Sequence, residues 1–455
     1  MADLIGTSLN RVVVGLGKTG MSCVRYLARK KLPFKVMDTR SNPPGIDELK
    51  RDYPDIAVHL GSFNQEWLNR ADELVISPGI ALAEPAIAEA MVLGAIAIGD
   101  IELFCREVNV PVVAITGSNG KSTVTALLGE MAAKAGVRAS VGGNIGTPAL
   151  DLLEDEEKAL YILELSSFQL ETTHSLQAAA ATILNMSPDH MDRYQSMVDY
   201  HGAKQRIYRG CRHAVYNKQD ALTTPLLPQA TQATAFTSGK PDLHDYGLIK
   251  EGADIWLCKG VEKLLNTSSI KLCGQHNQMN ALAALALGEA VGIPLKPMLE
   301  TLEEFPGLAH RCQWVASING VTWINDSKAT NVGAAVAAIE GVGELQAGKL
   351  VLIAGGDGKG ADFSEMTEPA RRYVREVVLI GQNGPDIGKA LDDEVSHRYC
   401  DDLTEAVNDA CQIAEEGDAV LLAPACASFD MFDSFEHRGD SFIYLVKALE
   451  AKESE

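Results

Sequence analysis

Short apolar runs alternate with helical patterns along almost the whole chain. Residues 12–14, 35–37, 74–76, 95–98, 112–115, 161–163 and 182–184 read as strands, as do 350–353, 376–380 and 419–422 further on. Runs apolar at nearly every position fit strands buried on both faces, and helices between them imply parallel sheets. The pattern predicts an α/β protein. A glycine turn follows a strand in three separate places, after Val14, Ile115 and Ile353. This predicts three α/β units. They are a Rossmann-like domain over 1–99, a central P-loop-type parallel sheet over 100–307 and a Rossmann-like domain over 308–455. Residues 211–272 are richer in Thr and Gln and in short alternating strands, which predicts a small antiparallel excursion within the central domain.

A chain of 455 residues is long enough for such a division. Its net charge of −21 argues against a nucleic-acid-binding surface, which would be basic. Anionic small ligands remain possible where Lys, Arg, helix N-termini or metal ions gather locally. The nine cysteines have no C-x-x-C spacing and an odd count, which fits neither structural zinc nor a disulfide framework and suits a reducing cytoplasm. The first residues lack a basic stretch followed by an apolar one, so no signal peptide is expected. Residues 81–98 are alanine-rich, but Glu84, Pro85 and Glu89 break them into a helix and a short strand rather than a membrane span.

The segment with the most chemistry is Gly117-Ser-Asn-Gly-Lys-Ser-Thr123, between a strand and a helical pattern. Backbone N–H groups and a helix N-terminus suit phosphates, Lys121 can reach the terminal ones, and Ser122 can hold magnesium. Ile115 stands where the usual motif has its first glycine, so this form is short. A solvated surface turn is the bland alternative. Gly15-Leu-Gly-Lys-Thr-Gly20 matches G-x-G-x-x-G, with Asp38 beyond the next strand. Alone it suggests a dinucleotide such as NAD, though any nucleotide diphosphate can use the turn, and a tight unliganded turn also fits. Glu164 ends a strand and reads as a magnesium ligand or as a helix N-terminal carboxylate. Asp189-His-Met-Asp192-Arg193 gathers carboxylates, a histidine and an arginine in one loop, with Lys204 in a helical pattern beyond it. His310-Arg311, Asn325-Asp-Ser-Lys-Ala-Thr-Asn331 and Gly355-Gly-Asp-Gly-Lys359 offer donors and acceptors for ribose, phosphate or carboxylate, or are solvated loops.

Taken together these segments resemble the Mur ligase family over essentially the whole chain, and within it the members that add D-glutamate. Further matching pieces are Met37-Asp-Thr-Arg40, Ser77-Pro-Gly-Ile80, Gly142-Gly-Asn-Ile-Gly146, Leu163-Glu-Leu-Ser-Ser-Phe-Gln169, Gly274-Gln-His-Asn277 and Pro424-Ala-Cys-Ala-Ser-Phe429. The short glycine-lysine loop is the family's normal form. The resemblance implies an ATP-dependent carboxylate–amine ligase of peptidoglycan precursor synthesis. It would join D-glutamate to UDP-N-acetylmuramoyl-L-alanine through an acyl phosphate and a tetrahedral intermediate, with ADP and phosphate released. The nearest alternatives are another amino-acid-adding ligase or a folylpolyglutamate-synthase-like enzyme. An NAD-dependent oxidoreductase would rest on the first fingerprint alone, and a non-enzymatic nucleotide-binding regulator is a further reading.

The resemblance also implies roles. The ATP site would comprise Gly117, Ser118, Asn119, Gly120, Lys121, Ser122, Thr123, Asn277, Asn280, Arg311, Asp326 and Lys328. Ser122 and Glu164 would hold one magnesium ion, and His190 and Lys204 would serve a second, Lys204 standing where the family has a carbamylated lysine. Lys121, Glu164, His190, Lys204 and Lys328 would carry the chemistry. Lys18, Thr19, Asp38, Thr39, Arg40, Ser77, Gly79, Asn144 and His190 would bind the UDP substrate. Thr330, Lys359, Ser428, Phe429 and Phe435 would form the D-glutamate pocket. Partners are these small molecules, with no nucleic acid, no membrane insertion, a cytoplasmic location and a monomeric state. Gln313, where an acidic residue is expected, and Lys18, where an apolar one is commoner, depart from the family pattern.

Overall fold

The strands are short and mostly parallel, and those at the sheet centres are buried. The computed structural model describes residues 9–453 except 156, 188, 191, 192, 227–230, 253, 273 and 345; Asp192 and Cys273 lie outside the described residues. Two units divide the chain, one formed by residues up to Asn266 with Met279–Thr301, the other by Thr267–Gln278 with Leu302 onward.

The first unit holds two sheets. Strands β1 (Arg11–Val14), β2 (Phe34–Asp38), β3 (Val58–Leu60), β4 (Glu73–Ile76) and β5 (Ile96–Ile98) form an all-parallel sheet in the order β3-β2-β1-β4-β5. Every residue of β1 is buried, as its unbroken apolar run requires, and Arg11 pairs with Glu73 of the neighbouring strand at 2.8 Å. Gly15 and Gly20 are fixed by geometry. Gly15 has φ +95°, and a Cβ on Gly20 would lie 1.9 Å from the Gly15 carbonyl oxygen, so only glycine lets the helix Lys18–Arg29 start this close to the strand.

The second sheet contains β6 (Val112–Thr116), β7 (Ala139–Gly143), β8 (Leu160–Glu164), β9 (Ala180–Ile183), β10 (His213–Asn217), β11 (Gln232–Phe236), β12 (Tyr246–Glu251), β13 (Asp254–Lys259) and β14 (Glu262–Asn266). Its order is β14-β13-β12-β11-β10-β9-β6-β8-β7. The antiparallel excursion is smaller than expected. Among the described residues of this sheet only β12, β13 and β14 pair antiparallel, while β10 and β11 continue the parallel sheet from β9. Alternation along a strand reports that one face is exposed; it does not report the direction of the neighbour.

One apolar cluster joins these two sheets, running from Val13 and Leu27 through Ile101 and Phe104 to Ala114 and Tyr161. The helix Asp100–Cys105 lies between them, with Phe104 edge-on to Tyr161 at 4.8 Å. Its Asp100 accepts from Gln169 at 3.0 Å, and its Glu102 accepts the N–H groups of His174 and Ser175.

The second unit carries β15 (Gln313–Ile318), β16 (Val321–Asn325), β17 (Leu350–Gly355), β18 (Val374–Ile380), β19 (His397–Tyr399) and β20 (Ala419–Leu422). The order is β15-β16-β20-β17-β18-β19, parallel except for β15. No described helix is long and apolar enough to cross a membrane.

Candidate active site

Strand β6 sits between β9 and β8, and its C-terminal end opens into the glycine-lysine turn. Gly120 adopts φ +81° and caps the helix Lys121–Lys134, leaving the first-turn N–H groups at the turn. A Cβ there would meet the Asn280 side-chain oxygen at 2.4 Å, so Asn280 packs directly on the loop. The loop is held from outside by the Asn185 carbonyl oxygen, which accepts from Ser118 N–H at 2.9 Å, and by its side-chain oxygen, which accepts from Asn119 N–H at 2.8 Å. Lys121 Nζ donates to the carbonyls of Gly117 and Ser118, both at 2.8 Å, which places its charge over the loop.

Glu164, the last residue of β8, lies across from Ile115 in the register. It is 1% exposed, and its carboxylate accepts from Ser122 Oγ at 2.8 Å and from Asn144 Nδ2 at 2.9 Å. The reading of Glu164 as a helix-capping carboxylate is not what the fold uses. The helix Ser167–Glu171 is capped by Ser166 in a reciprocal box with Gln169. The acidic oxygens therefore face the phosphate loop.

Lys204 is also buried, at 1% exposure, and Nζ donates to the Gly117 carbonyl at 2.8 Å and Thr116 Oγ1 at 3.2 Å. Burial, with the charge of Lys121 nearby, pushes its ammonium down to about 7. Its Nζ stands 4.8 Å from the Tyr200 ring, and the His190 ring meets the same tyrosine edge-on at 6.4 Å. Tyr200 OH lies 3.2 Å from Ser118 Oγ. His190 is half-exposed, 3.5 Å from an Asp189 oxygen, with φ +56°. Among the described residues no three His, Cys, Asp or Glu side chains gather as an ion cage. The oxygen donors Ser122 and Glu164 suit a hard cation that keeps waters and phosphate oxygens as its other ligands.

The first glycine turn opens on a cleft of about 540 Å³ lined by Gly15, Lys18, Thr19, Asp38, Thr39, Arg40, the 77–80 loop and Asn144. Asp38 does not point free into it. Its oxygens accept from the Leu16 N–H and from Arg40, at 2.7 to 2.9 Å. Burial alone would raise this carboxyl, but those donors outweigh it and hold it below the usual carboxylate range. Lys18 Nζ donates to the Gly146 carbonyl at 2.6 Å, and Ser77 Oγ to the Gly15 carbonyl at 3.0 Å. Asn144 lines this cleft and also binds Glu164, so the cleft and the phosphate loop meet at one side chain.

The second unit gathers the other candidates around the loops after β16, β17 and β20. Asp326 is 6% exposed, pushed up to about 6 by burial, and accepts the Cys312 N–H at 3.1 Å. Lys328 stands 5.4 Å from the Phe435 ring and Lys359 stands 5.7 Å from Phe429. Ser327 and Ser428 are buried, and Phe429 is exposed. Arg438 is 1% exposed and donates to Ser327 Oγ and to the carbonyls of Ser327 and Cys426. It ties the 325–331 loop to the 424–429 loop. Gln313 accepts the His310 N–H at 3.0 Å, so its amide oxygen supplies an acceptor where an acid was expected. Asn277 and Asn280 share the helix Gln275–Ala290 but fall in different units. Arg311 precedes β15, and Thr330 lies in the 325–331 loop.

Three family models cover the chain: a Mur ligase MurD-like N-terminal domain over residues 9–99, a Mur ligase middle domain over 115–288 and a Mur ligase glutamate ligase domain over 310–426. The UDP-N-acetylmuramoylalanine--D-glutamate ligase of Pseudomonas syringae pv. tomato is 55% identical over 98% of this chain and 100% of its own. The protein of the same name from Hahella chejuensis is 50% identical over the same shares. Among solved structures, the UDP-N-acetylmuramate-alanine ligase of Thermotoga maritima matches 97% of this chain and 99% of its own at 20% identity, with a TM-score of 0.55. That likeness speaks to the fold.

Proposed function

Because the chain belongs to the Mur ligase family, we propose that it is the ATP-dependent ligase that joins D-glutamate to UDP-N-acetylmuramoyl-L-alanine in peptidoglycan precursor synthesis. The observation that carries the site is the chain of contacts from the first cleft through Asn144 to Glu164 and Ser122. It gives a UDP-borne carboxylate a route to the phosphoryl donor. The NAD reading leaves Lys121, Glu164 and Lys328 without a task. It also asks Asp38 to grip a ribose, whereas its oxygens already hold Arg40 and Leu16.

A carboxylate does not react with an amine unaided. Its oxygen first attacks the γ-phosphorus of ATP and ADP leaves. The D-glutamate amine then attacks the acyl carbon, and the tetrahedral intermediate expels phosphate as the amide forms. The reacting carboxylate and phosphates are anionic, so the chain's task is positioning and neutralisation. Lys121 and the first-turn N–H groups of the loop helix would bind the ATP phosphates, together with Gly117, Ser118, Asn119, Gly120 and Thr123. Asn277, Asn280, Arg311 and Asp326 would take the adenosine, and Lys328 the phosphates. Thr19, Thr39, Arg40, Lys18, Ser77 and Gly79 would hold the uridine diphosphate end, with Asp38 orienting Arg40. Asn144 and His190 would face the muramoyl-alanine. Thr330, Lys359, Ser428, Phe429 and Phe435 would receive D-glutamate, the lysine opposite its side-chain carboxylate.

Ser122 and Glu164 would hold one magnesium ion, His190 and Lys204 a second; the ions would supply charge neutralisation at the phosphates. A protonated lysine repels a metal ion, whereas a carbamate offers anionic oxygens that a hard cation prefers. The buried Lys204 amine, poised near neutrality, could take up CO2 and release a proton to become a carbamate. We place the domain limits near residues 99 and 307, and the protein in the cytoplasm as a monomer. Phosphate release should require UDP-N-acetylmuramoyl-L-alanine and D-glutamate together. Equal release with L-alanine or meso-diaminopimelate would overturn the assignment.

A further inference from the structure

One largely covered cation, packed on the Phe168 ring, has no part in the roles above. The Arg193 side chain is 13% exposed, and its guanidinium donates to the carbonyl oxygens of Pro78 and Ile80. It pairs with Glu171 at 3.1 Å and lies 3.9 Å from the centre of the Phe168 ring. Phe168 packs against the His190 ring with centroids 4.8 Å apart. The backbone repeats the link, since the N–H groups of Arg193 and Tyr194 both donate to the His190 carbonyl at 3.0 Å.

The far ends of these contacts matter to the reaction. The 77–80 loop lines the UDP-substrate cleft and is itself strung to the first glycine turn, by Ser77 N–H on Val14 and Ser77 Oγ on Gly15. Resting on the function proposed above, we propose that Arg193 is a positioning residue that couples the substrate loop 77–80 to His190 at the reaction centre. A guanidinium fork can serve two carbonyls, a carboxylate and a ring face at once; an ammonium cannot. Glu171 neutralises the charge, so the cation does not draw the substrate's anions to it. Movement of the substrate loop is thereby felt at the ring against which His190 packs.

The test compares Arg193→Ala and Arg193→Lys in the full chain. Arg193→Ala is expected to raise KM for UDP-N-acetylmuramoyl-L-alanine and lower kcat by roughly tenfold each, the size of one lost charged contact. It is also expected to raise the magnesium concentration for half-maximal rate, with KM for ATP within about twofold. Free guanidinium ion at low millimolar concentration should restore part of kcat in the alanine variant. Arg193→Lys should keep thermal stability yet show the same magnesium shift. A folded Arg193→Ala with wild-type kcat and magnesium dependence overturns the proposal, as does Arg193→Lys behaving as wild type. A loss confined to melting temperature, without guanidinium rescue, overturns it too. Failure of the functional reading would be seen in the wild-type chain, which would then release no phosphate with its two substrates.

Discussion

Ser122 donates its hydroxyl to one oxygen of Glu164 at 2.8 Å, while the other oxygen accepts from Asn144. A strand-end carboxylate is thus shared between the phosphate loop and the cleft that would take the UDP substrate. An amide in its place presents an acceptor to one donor and an N–H to the other. Glu164→Gln is therefore expected to lower kcat by about a hundredfold or more, from lost charge and a mismatched donor, with the melting temperature little changed. Steady-state phosphate release and a thermal melt check both halves.

Lys204 provides a pH signature. Its amine is half neutral near pH 7, because burial and Lys121 disfavour the charged form. At fixed dissolved CO2, a carbamate signal in carbon NMR with labelled CO2 should grow as pH rises through about 7. An ordinary lysine would respond only near its usual value, about 10.4. Lys204→Ala should be inactive and partly rescued by a short carboxylic acid. Absence of any carbamate signal at pH 8 would sink the idea.

Asp100 makes stability depend on pH. Burial lifts its carboxyl to about 6, above its unfolded value of 3.8. The folded state therefore binds the proton more tightly. The stability from this group is full below about pH 4 and is lost as pH rises through about 6. The stability of wild type minus Asp100→Asn should fall by on the order of 2–3 kcal/mol across that window, read from urea melts at several pH values. A flat difference would contradict it.

Lys18 lines the same cleft as Arg40 and reaches across to the Gly146 carbonyl. Lys18→Ala should raise KM for the UDP substrate several-fold and leave KM for ATP and D-glutamate alone, as expected for one charge contact to a diphosphate. An unchanged KM removes Lys18 from the site.

Lys359 is held at φ +50° near the exposed Phe429 ring. Lys359→Ala should raise KM for D-glutamate by about tenfold or more, the loss of a charged hydrogen bond. Half-saturation by D-glutamate in the phosphate-release assay reads this directly.

The strand-to-glycine-turn units were legible in the chain. The apolar runs that became β1, β6 and β17 each end in a glycine turn, and local pattern suffices for such a unit. Strands β3, β7 and β19 were not legible, because a run of three to five residues with half-exposed or polar positions has no period of its own. Tyr200 carried no signal either, and the contacts of Asn185 and Arg438 could not be read, because each acts through partners far along the chain, such as Tyr200 on Ser118 and Arg438 on Ser327.

The sequence by itself determined the parallel sheets, the glycine-lysine turn and the supply of Lys, Asp and Glu near it, because these follow from local burial and turn chemistry. It left Glu164 suspended between helix cap and magnesium-site carboxylate, and Asp38 between nucleotide ligand and part of an unliganded turn. Tertiary structure decided which donors each carboxylate meets. Ser166 and Gln169 cap the helix and leave Glu164 to Ser122 and Asn144, whereas Arg40 and Leu16 occupy Asp38. A carboxylate goes to whichever donors burial brings within hydrogen-bond reach, and those donors are set by packing across the sheet rather than by the residues beside it in the chain.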